Sequence, residues 1–289
     1  MDFHYLTYFI NGFMMIAMPI GLTIYLTRKY KQGWRLFWIG AATFIFSQVL
    51  HIPFNTLVNP IFNQFKFIAL PVVVQTIISA VFLGLSAGLF EELSRFAMYR
   101  WVARDARSWS RGLLAGAGHG GVEAIILGGL VLYGYIQMVS LRYADLATVV
   151  PAGQLDAVRS QIAAYWLTPW YITLLGALER LFTIPFHLAC SILVLQTFTR
   201  KQSWWVGLAI LYHALVDGTA VFASGMKLSA LAIEGIIGIF AISSVEIIYV
   251  LFKPEPSIDI FPSQPVNPLI FSPKLIDETE ENLDKTRFQ

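Results

Sequence analysis

Long apolar segments, separated by short polar ones, occupy most of this chain. Seven of them reach the roughly 20 residues that a helix needs to cross about 30 Å of hydrocarbon. The pattern therefore predicts an all-α, polytopic membrane protein with seven transmembrane helices. We place these helices at about 5–27, 36–57, 67–90, 112–138, 166–198, 204–223 and 229–252.

Basic residues in the loops predict the orientation of these helices. Lysine and arginine are concentrated in the loops that follow the first, third and fifth segments, and they are sparse in the loops between. Because cytoplasmic loops carry the excess of basic residues, we expect the N-terminus outside and the C-terminus in the cytoplasm. On the outer side, the segment 140–165 has the composition of a short amphipathic helix that lies on the membrane interface.

The composition of the chain changes after the last apolar segment. Residues 253–289 are rich in proline and then in acidic residues, which makes them too polar to pack a core. We therefore divide the chain into a seven-helix transmembrane domain at 1–252 and a disordered cytoplasmic tail at 253–289. Within the first part, the helices at 67–252 carry the motifs described below.

The overall composition supports an integral membrane protein and excludes some classes of function. Hydrophobic residues make up 56% of the chain and charged residues 13%, whereas a soluble domain has about 25% charged residues. The net charge of +2 gives no reason to expect a nucleic-acid partner. Cys190 is the one cysteine, so neither an intrachain disulfide nor a thiolate metal cage can form. We expect Cys190 to pack as a small apolar residue.

Two acids and an arginine lie at the end of the third apolar segment. An ionisable side chain in a span costs about 2.5 to 3.5 kcal/mol on insertion scales, so it usually serves a function and has a partner. Glu91 and Arg95 are four positions apart and share a helix face, whereas Glu92 points about 100° away. This spacing suggests that Arg95 anchors Glu91 and leaves Glu92 free as a base, although either glutamate fits that role. A helix end that enters water is the alternative.

The fourth segment carries a histidine and a glutamate among glycines. His119 and Glu123 are one helical turn apart, and at the rise of an α-helix they lie about 12 to 18 Å from Arg111. Both are therefore within the hydrocarbon. Glycines on both sides of His119 allow a neighbouring helix or a substrate to approach closely. We favour a functional role for this pair over plain helix packing.

The fifth and sixth segments add further ionisable residues. Glu179 and Arg180 lie near the middle of the membrane, where we favour a structural ion pair that braces a neighbouring acid. His187 follows two turns later and is either a metal ligand or a buried histidine bonded within its own bundle. His213 and Asp217 are one turn apart, and a carboxylate in that position fixes the tautomer of the imidazole.

These residues agree in depth although their helices run in alternating directions. Glu91, His119, His187 and His213 all fall in the predicted cytoplasmic half of the bilayer. His51, near the outer end of the second span, falls outside the set. Three imidazoles and a carboxylate suffice to bind a catalytic zinc ion with an open position for water, whose pKa the metal lowers towards about 7. The sequence thus predicts a zinc site.

The motifs of these segments resemble those of the YhfC family of intramembrane metallopeptidases. They read Glu91-Glu92-Leu93-Ser94-Arg95, Gly118-His119-Gly120-Gly121-Val122-Glu123, Glu179-Arg180, Phe186-His187 and His213-Ala214-Leu215-Val216-Asp217. That family is similar to the CAAX-protease and bacteriocin-processing group. The resemblance implies that Glu91 or Glu92 activates water. It also implies that His119 and His213 ligate zinc or orient the nucleophile, and that Asp217 supports His213.

The layout also resembles the anterior-pharynx-defective scaffold subunit of gamma-secretase, which cleaves nothing. The segment from Phe90 to Tyr99 is similar to its third span, and His187 and His213 are similar to its two intramembrane histidines. The paired glutamates and the glycine-flanked histidine favour an enzyme over such a non-catalytic scaffold. A proton-coupled carrier is a weaker alternative, because the chain has no evident inverted repeat.

We therefore expect a metal-dependent intramembrane endopeptidase that hydrolyses a peptide bond near the cytoplasmic side of a bacterial plasma membrane. The expected catalytic residues are Glu91, Glu92, Arg95 and Glu123, the zinc ligands His119, His187 and His213, and the supporting residues Asp217, Glu179 and Arg180. The expected partners are membrane lipid and a protein or peptide substrate.

Overall fold

The computed structural model describes residues 3–64 and 67–253, so the predicted tail at 253–289 lies outside the described residues except for its first. The described residues form nine α-helices and a few single turns, with no strand among them. The α-helices are α1 (Phe3–Lys29), α2 (Arg35–Gln64), α3 (Val72–Ala97), α4 (Trp109–Tyr143), α5 (Leu146–Val149), α6 (Leu155–Leu167), α7 (Leu175–Thr199), α8 (Trp204–Gly225) and α9 (Ala230–Val250). All but α5 and α6 are long and apolar enough to cross a membrane. The all-α, seven-span prediction is confirmed, and the orientation stays a prediction.

The third span begins and ends later than predicted. Pro71 comes directly before α3, and the residues at 67–69 form a separate 3-10 turn. At its other end α3 runs past Arg95 to Ala97 and continues into a π-helical turn at Met98–Val102. Glu91 is therefore inside the helix. Partners within the bundle neutralise the charged residues here, whereas hydropathy alone places the end of a span at such residues.

The fifth span begins at Leu175, later than the predicted 166. Pro169 separates it from α6, since proline lacks the N–H group that a helix interior needs. A 3-10 turn at Ile172–Leu174 then leads into α7. The short helix predicted within 140–165 is present as α6, although it extends to Leu167. Its position on the membrane interface stays a prediction.

The helices pack around α4 and α7. Helix α4 contacts α1, α2 and α7, and α7 also contacts α8 and α9. Every residue of α7 from 186 to 196 is buried, which is typical of a helix at the centre of a bundle. Helix α3 packs along α8.

Glycines of α3 bring its backbone close to α8. A Cβ atom added to Gly88 would lie 2.6 Å from the carbonyl oxygen of Ile210, and one added to Gly84 would overlap the carbonyl oxygen of Ala214. Small residues allow such close approach of two membrane helices. The contact holds α3 against α8 one turn before Glu91.

On the side with the basic loops, Asp105 connects the α3–α4 loop to the start of α2. Its carboxylate accepts hydrogen bonds of 2.8 and 3.1 Å from Arg35 and one of 3.2 Å from Arg111. The hydrogen bonding and positive charge of Arg35 hold the pKa of Asp105 below its usual value. The loop is therefore tied to α2 at neutral pH.

Candidate metal centre

Four helices bring one carboxylate and three imidazoles together inside the bundle. Oε2 of Glu91 on α3 lies 3.0 Å from Nε2 of His119 on α4. The same oxygen lies 3.8 Å from Nε2 of His213 on α8 and 4.0 Å from Nδ1 of His187 on α7. All four side chains are buried. The residues of the predicted zinc site are therefore neighbours, and Glu91 lies at the centre of the group.

Further carboxylates contact the opposite nitrogens of two of these imidazoles. Nδ1 of His213 lies 2.6 Å from Oε1 of Glu92, and Nε2 of His187 lies 2.7 Å from Oε2 of Glu123. With each ring proton on the nitrogen that faces its carboxylate, the lone pair of the other nitrogen is directed to the side of Glu91. Metal-binding histidines are usually held by such a carboxylate.

The Arg95 guanidinium lies between the two adjacent glutamates. It forms an ion pair with Glu92, and its second amino group lies 3.7 Å from Oε2 of Glu91. The same group donates a hydrogen bond of 2.7 Å to Nδ1 of His187. Arg95 is thus closer to Glu92 than to Glu91, and its contacts do not support the suggestion that it anchors Glu91 and leaves Glu92 free. Spacing cannot decide between the two, because residues three and four positions away are both within reach on a helix.

Two residues of the centre were not predicted from the sequence. Gln48 of α2 donates a hydrogen bond of 3.0 Å to Oε1 of Glu91. Cys190, expected only to pack, is buried and has its sulfur within 4.8 Å of possible ligand atoms of Glu92 and His213. The sequence indicates these two residues only weakly. Gln48 is a glutamine within an apolar span, and Cys190 comes one turn after His187.

A chain of ion pairs leads from His187 towards the surface of the bundle. Arg180 donates a hydrogen bond of 2.7 Å to Oε1 of Glu123 and also pairs with Glu179. The side chain of Arg180 is 5% exposed, whereas that of Glu179 is 42% exposed. Glu179 is therefore at the edge of the network and connects to His187 through Arg180 and Glu123.

Asp217 contacts the side of His213 that faces Glu91. Its Oδ2 lies 3.3 Å from Nε2 of His213, while Glu92 occupies the opposite nitrogen. The resemblance implies a supporting acid behind the imidazole, and in the structure Glu92 has that position. The Asp217 side chain is 39% exposed, so it lies at the accessible edge of the centre as a possible further ligand.

Glycines of α4 make room for α7 beside His119. A Cβ atom added to Gly120 would lie 2.6 Å from the Cβ atom of His187, and one added to Gly116 would lie 3.0 Å from the carbonyl oxygen of His187. The glycine pattern predicts close approach of either a neighbouring helix or a substrate. At these two glycines the neighbouring helix α7 fills the space.

The donor atoms of the centre fit a divalent metal ion. Glu91, His119 and His187 each offer a ligand atom within 4.8 Å of the others, and imidazole nitrogen with carboxylate oxygen is a common donor set for zinc. Nδ1 of His119 and Oε2 of Glu92 are buried and have no hydrogen-bond partner within the described part of the chain. Nearly all buried polar atoms in folded proteins have a partner, but neither of these two atoms faces Glu91, so the case for an ion rests on the donor set.

The charges of the centre fit a divalent ion as well. Two guanidinium groups, of Arg95 and Arg180, lie among the buried or partly buried carboxylates Glu91, Glu92, Glu123 and Asp217. Glu179 also pairs with Arg180, so five carboxylates face the two guanidinium groups. With neutral imidazoles and ionised acids, negative charge is in excess by three. Uncompensated charge is costly inside a protein, and a divalent cation would offset most of this excess.

The fold and the centre together define a polytopic α-helical membrane protein with a buried histidine and carboxylate centre suited to a metal ion. Residues 14–237 match the family described as YhfC intramembrane metalloprotease, and the chain belongs to that family. It is also 30% identical over 244 residues to a Bacillus subtilis (strain 168) protein described as an uncharacterized membrane protein, YhfC. That alignment covers 82% of this chain and 92% of the relative. No solved structure matches the chain.

These relationships agree with the seven apolar helices. The relative is described as a membrane protein, and the helices are long enough to span a bilayer. The prediction of a multi-pass integral membrane protein of the YhfC family is therefore confirmed.

Proposed function

We propose that the chain is a zinc-dependent intramembrane endopeptidase that hydrolyses a peptide bond of a membrane protein or peptide near the cytoplasmic side of the bilayer. One observation carries this proposal: imidazole nitrogens from three helices face a single oxygen of Glu91. The description of the family as metalloproteases supports a peptidase over a non-catalytic scaffold.

In this proposal His119 and His213 hold the metal, each through the Nε2 atom that faces Glu91. The third donor is either His187 or Asp217. Nδ1 of His187 already accepts a hydrogen bond from Arg95, so ligation by His187 requires the guanidinium to move aside. Bound zinc would supply Lewis acidity, which polarises the substrate carbonyl and lowers the pKa of water.

Glu91 acts as the general base in this proposal. Its Oε2 takes a proton from the attacking water and passes it to the nitrogen of the leaving amine. Gln48 binds Oε1 and keeps the carboxylate in place. Glu92 is committed to Arg95 and His213, and it therefore positions His213 instead of transferring protons.

Glu123 and Arg180 have a positioning role at His187. Glu123 accepts the Nε2 proton of His187, and Arg180 holds Glu123 through its other oxygen. This pair fixes the tautomer with Nδ1 unprotonated. Glu179 contributes only by its ion pair with Arg180.

Metal analysis combined with a cleavage assay tests the proposed function. The purified full chain in vesicles is expected to hold about one zinc ion per molecule and to cleave members of a panel of fluorogenic single-span peptides. Phenanthroline is expected to abolish cleavage, and added zinc is expected to restore it. His213→Ala should lose zinc and cleavage together. Of His187→Ala and Asp217→Ala, the variant with the greater loss of zinc identifies the third donor.

Two results would overturn this function. Full cleavage by the metal-free protein would exclude the zinc mechanism. Protein without zinc or cleavage that purifies in a stable larger complex would favour the non-catalytic scaffold.

A further inference from the structure

Three polar residues lie on one face of α2, in a span whose exposed residues are mostly apolar. Gln48, His51 and Asn55 are spaced by three and four positions, so they share a helix face. Each is partly buried, while most of their neighbours along α2 are exposed apolar residues. The face begins at the candidate centre, because Gln48 donates to Glu91. From Gln48 to Asn55 it extends about 10 Å along the helix, towards the end opposite the basic loops.

The polar atoms of this face are only partly paired. Asn55 donates from Nδ2 to Nε2 of His51 at 2.9 Å, and Ser86 of α3 lies 3.0 Å from the same nitrogen. Oδ1 of Asn55 is buried and has no hydrogen-bond partner among the described residues. The face therefore offers a hydrogen-bond acceptor beyond the groups that join α2 to α3.

A peptide that is to be cleaved inside a membrane has a specific need for such groups. A helical substrate must unwind before its carbonyl carbon can be attacked. In hydrocarbon, every backbone group freed by unwinding costs several kcal/mol unless it finds a partner. A scaffold that binds intact helices has no such requirement.

We propose that the Gln48, His51 and Asn55 face of α2 binds the unwound backbone of the substrate in an extended conformation. This inference rests on the proposed peptidase function. An extended chain rises about 3.3 Å per residue, so the face accommodates about three residues. Since Gln48 contacts Glu91, the bond to be cleaved lies at the Gln48 end, and the three residues extend along α2 away from the basic loops.

Aromatic side chains beside this face fit an apolar substrate. Phe90 stacks on His51 with a centroid distance of 5.4 Å, and Phe54 lies 5.1 Å from Phe90. Substrate side chains in an extended strand point alternately to opposite faces. One set would contact these rings while the backbone bonds with α2.

Disulfide trapping tests this inference without relying on cleavage. Asn55→Cys is placed in a Glu91→Gln background, in which the proposed base is absent, and Thr56→Cys serves as the matched control. Thr56 is exposed and donates a hydrogen bond to the carbonyl of Ile52 in its own helix. The probes are two leucine and alanine peptides of about 22 residues with one central cysteine, in phosphatidylethanolamine and phosphatidylglycerol vesicles. One probe contains a Gly-Pro pair beside the cysteine, and the other is a continuous helix.

We expect Asn55→Cys to cross-link the Gly-Pro probe about tenfold more than the continuous helix, because only unwound backbone needs these partners. Thr56→Cys should show no preference. Equal trapping of both probes by Asn55→Cys, or equal trapping at both positions, would overturn the inference.

Kinetics separate this inference from the proposed function. With a cleaved peptide, Asn55→Leu is expected to raise KM about tenfold, the effect of one lost hydrogen bond, at nearly unchanged kcat. Asn55→Gln, which keeps both the amide donor and the acceptor oxygen, should recover part of this loss, and Thr56→Val should leave KM unchanged. Cleavage with no change of KM in Asn55→Leu would overturn the binding role alone. A wild-type chain that cleaves nothing contradicts the proposed function, and the trapping result then decides whether the face binds peptide.

Discussion

Glu91 and Glu92 are adjacent in the sequence, yet their carboxylates have different surroundings. Glu91 contacts the three imidazoles and Gln48, whereas Glu92 pairs with Arg95 and with Nδ1 of His213. A general base needs an oxygen that can take up a proton, while a positioning group needs fixed partners. The contacts therefore support different proposed roles for two acids that hydropathy cannot distinguish.

We predict different losses from the two isosteric substitutions. Glu91→Gln should lower kcat at least about 100-fold, because proton transfer is lost, and should change zinc affinity much less. Glu92→Gln should weaken zinc affinity by about 10- to 100-fold through His213 and recover much of its activity at saturating zinc. Competition with a chromophoric chelator measures the affinity, and peptide cleavage measures kcat.

Glu246 provides the control for this comparison. It is an exposed glutamate of α9 and has no contact with the centre. Glu246→Gln should leave both quantities unchanged. If Glu92→Gln abolished turnover at saturating zinc while Glu91→Gln retained it, the two roles would have to be exchanged.

At the scale of the helices, glycines of α4 determine how closely α7 approaches. Gly116 and Gly120 lie against the backbone and Cβ of His187, whereas a Cβ atom at Gly129 would meet nothing within 4 Å. The same helix therefore contains glycines that the packing requires and at least one that it does not.

We predict that Gly120→Ala displaces His187, because the added methyl group meets the Cβ atom of a residue in a buried helix. The substitution should lower the free energy of unfolding by about 1 to 3 kcal/mol and reduce cleavage at least about tenfold. Thermal unfolding in detergent and the peptide assay measure the two effects.

Gly129→Ala is the matched control within α4. Alanine has the higher helix propensity by up to about 1 kcal/mol, so this variant should be neutral or slightly more stable. If both variants lost equal amounts of stability and cleavage, the effect would come from α4 itself and not from its contact with α7.

Hydropathy was sufficient to predict the number of spanning helices, but not all of their ends. The start of α3 after Pro71 and the separation of α6 from α7 at Pro169 are local effects of proline. The extension of α3 beyond Arg95 has another cause. Hydropathy treats each charged residue alone, whereas Glu92 and Arg95 neutralise each other within the bundle.

At the scale of the whole molecule, the basic loops predict that the centre lies nearer the cytoplasmic side. We expect a fluorescent protein fused after Lys253 to be fluorescent and alkaline phosphatase inserted at Lys227 to be active, because these sites lie at opposite ends of α9. The reverse result would mean that the protein has the opposite orientation in the membrane and that the centre lies nearer the outside.

The predicted depth of each residue in the membrane was enough to identify residues that lie close together in the structure. It was not enough to predict which of them contact each other. The four spans of Glu91, His119, His187 and His213 were predicted to meet at one level, and their side chains are neighbours. Gln48 could not be predicted because its partner is on another helix. The sequence alone does not indicate which faces of α2 and α3 pack against each other.

The close packing of α3 against α8 has a consequence for the synthesis of the protein. Glu92 and His213 are separated by 121 positions, and α8 is the last helix to contribute to the centre. At roughly 5 to 20 residues per second, about 6 to 24 seconds pass between the synthesis of these two residues. The proposed protease therefore lacks a complete centre until α8 is inserted, and before that point the nascent chain cannot cut its own earlier spans.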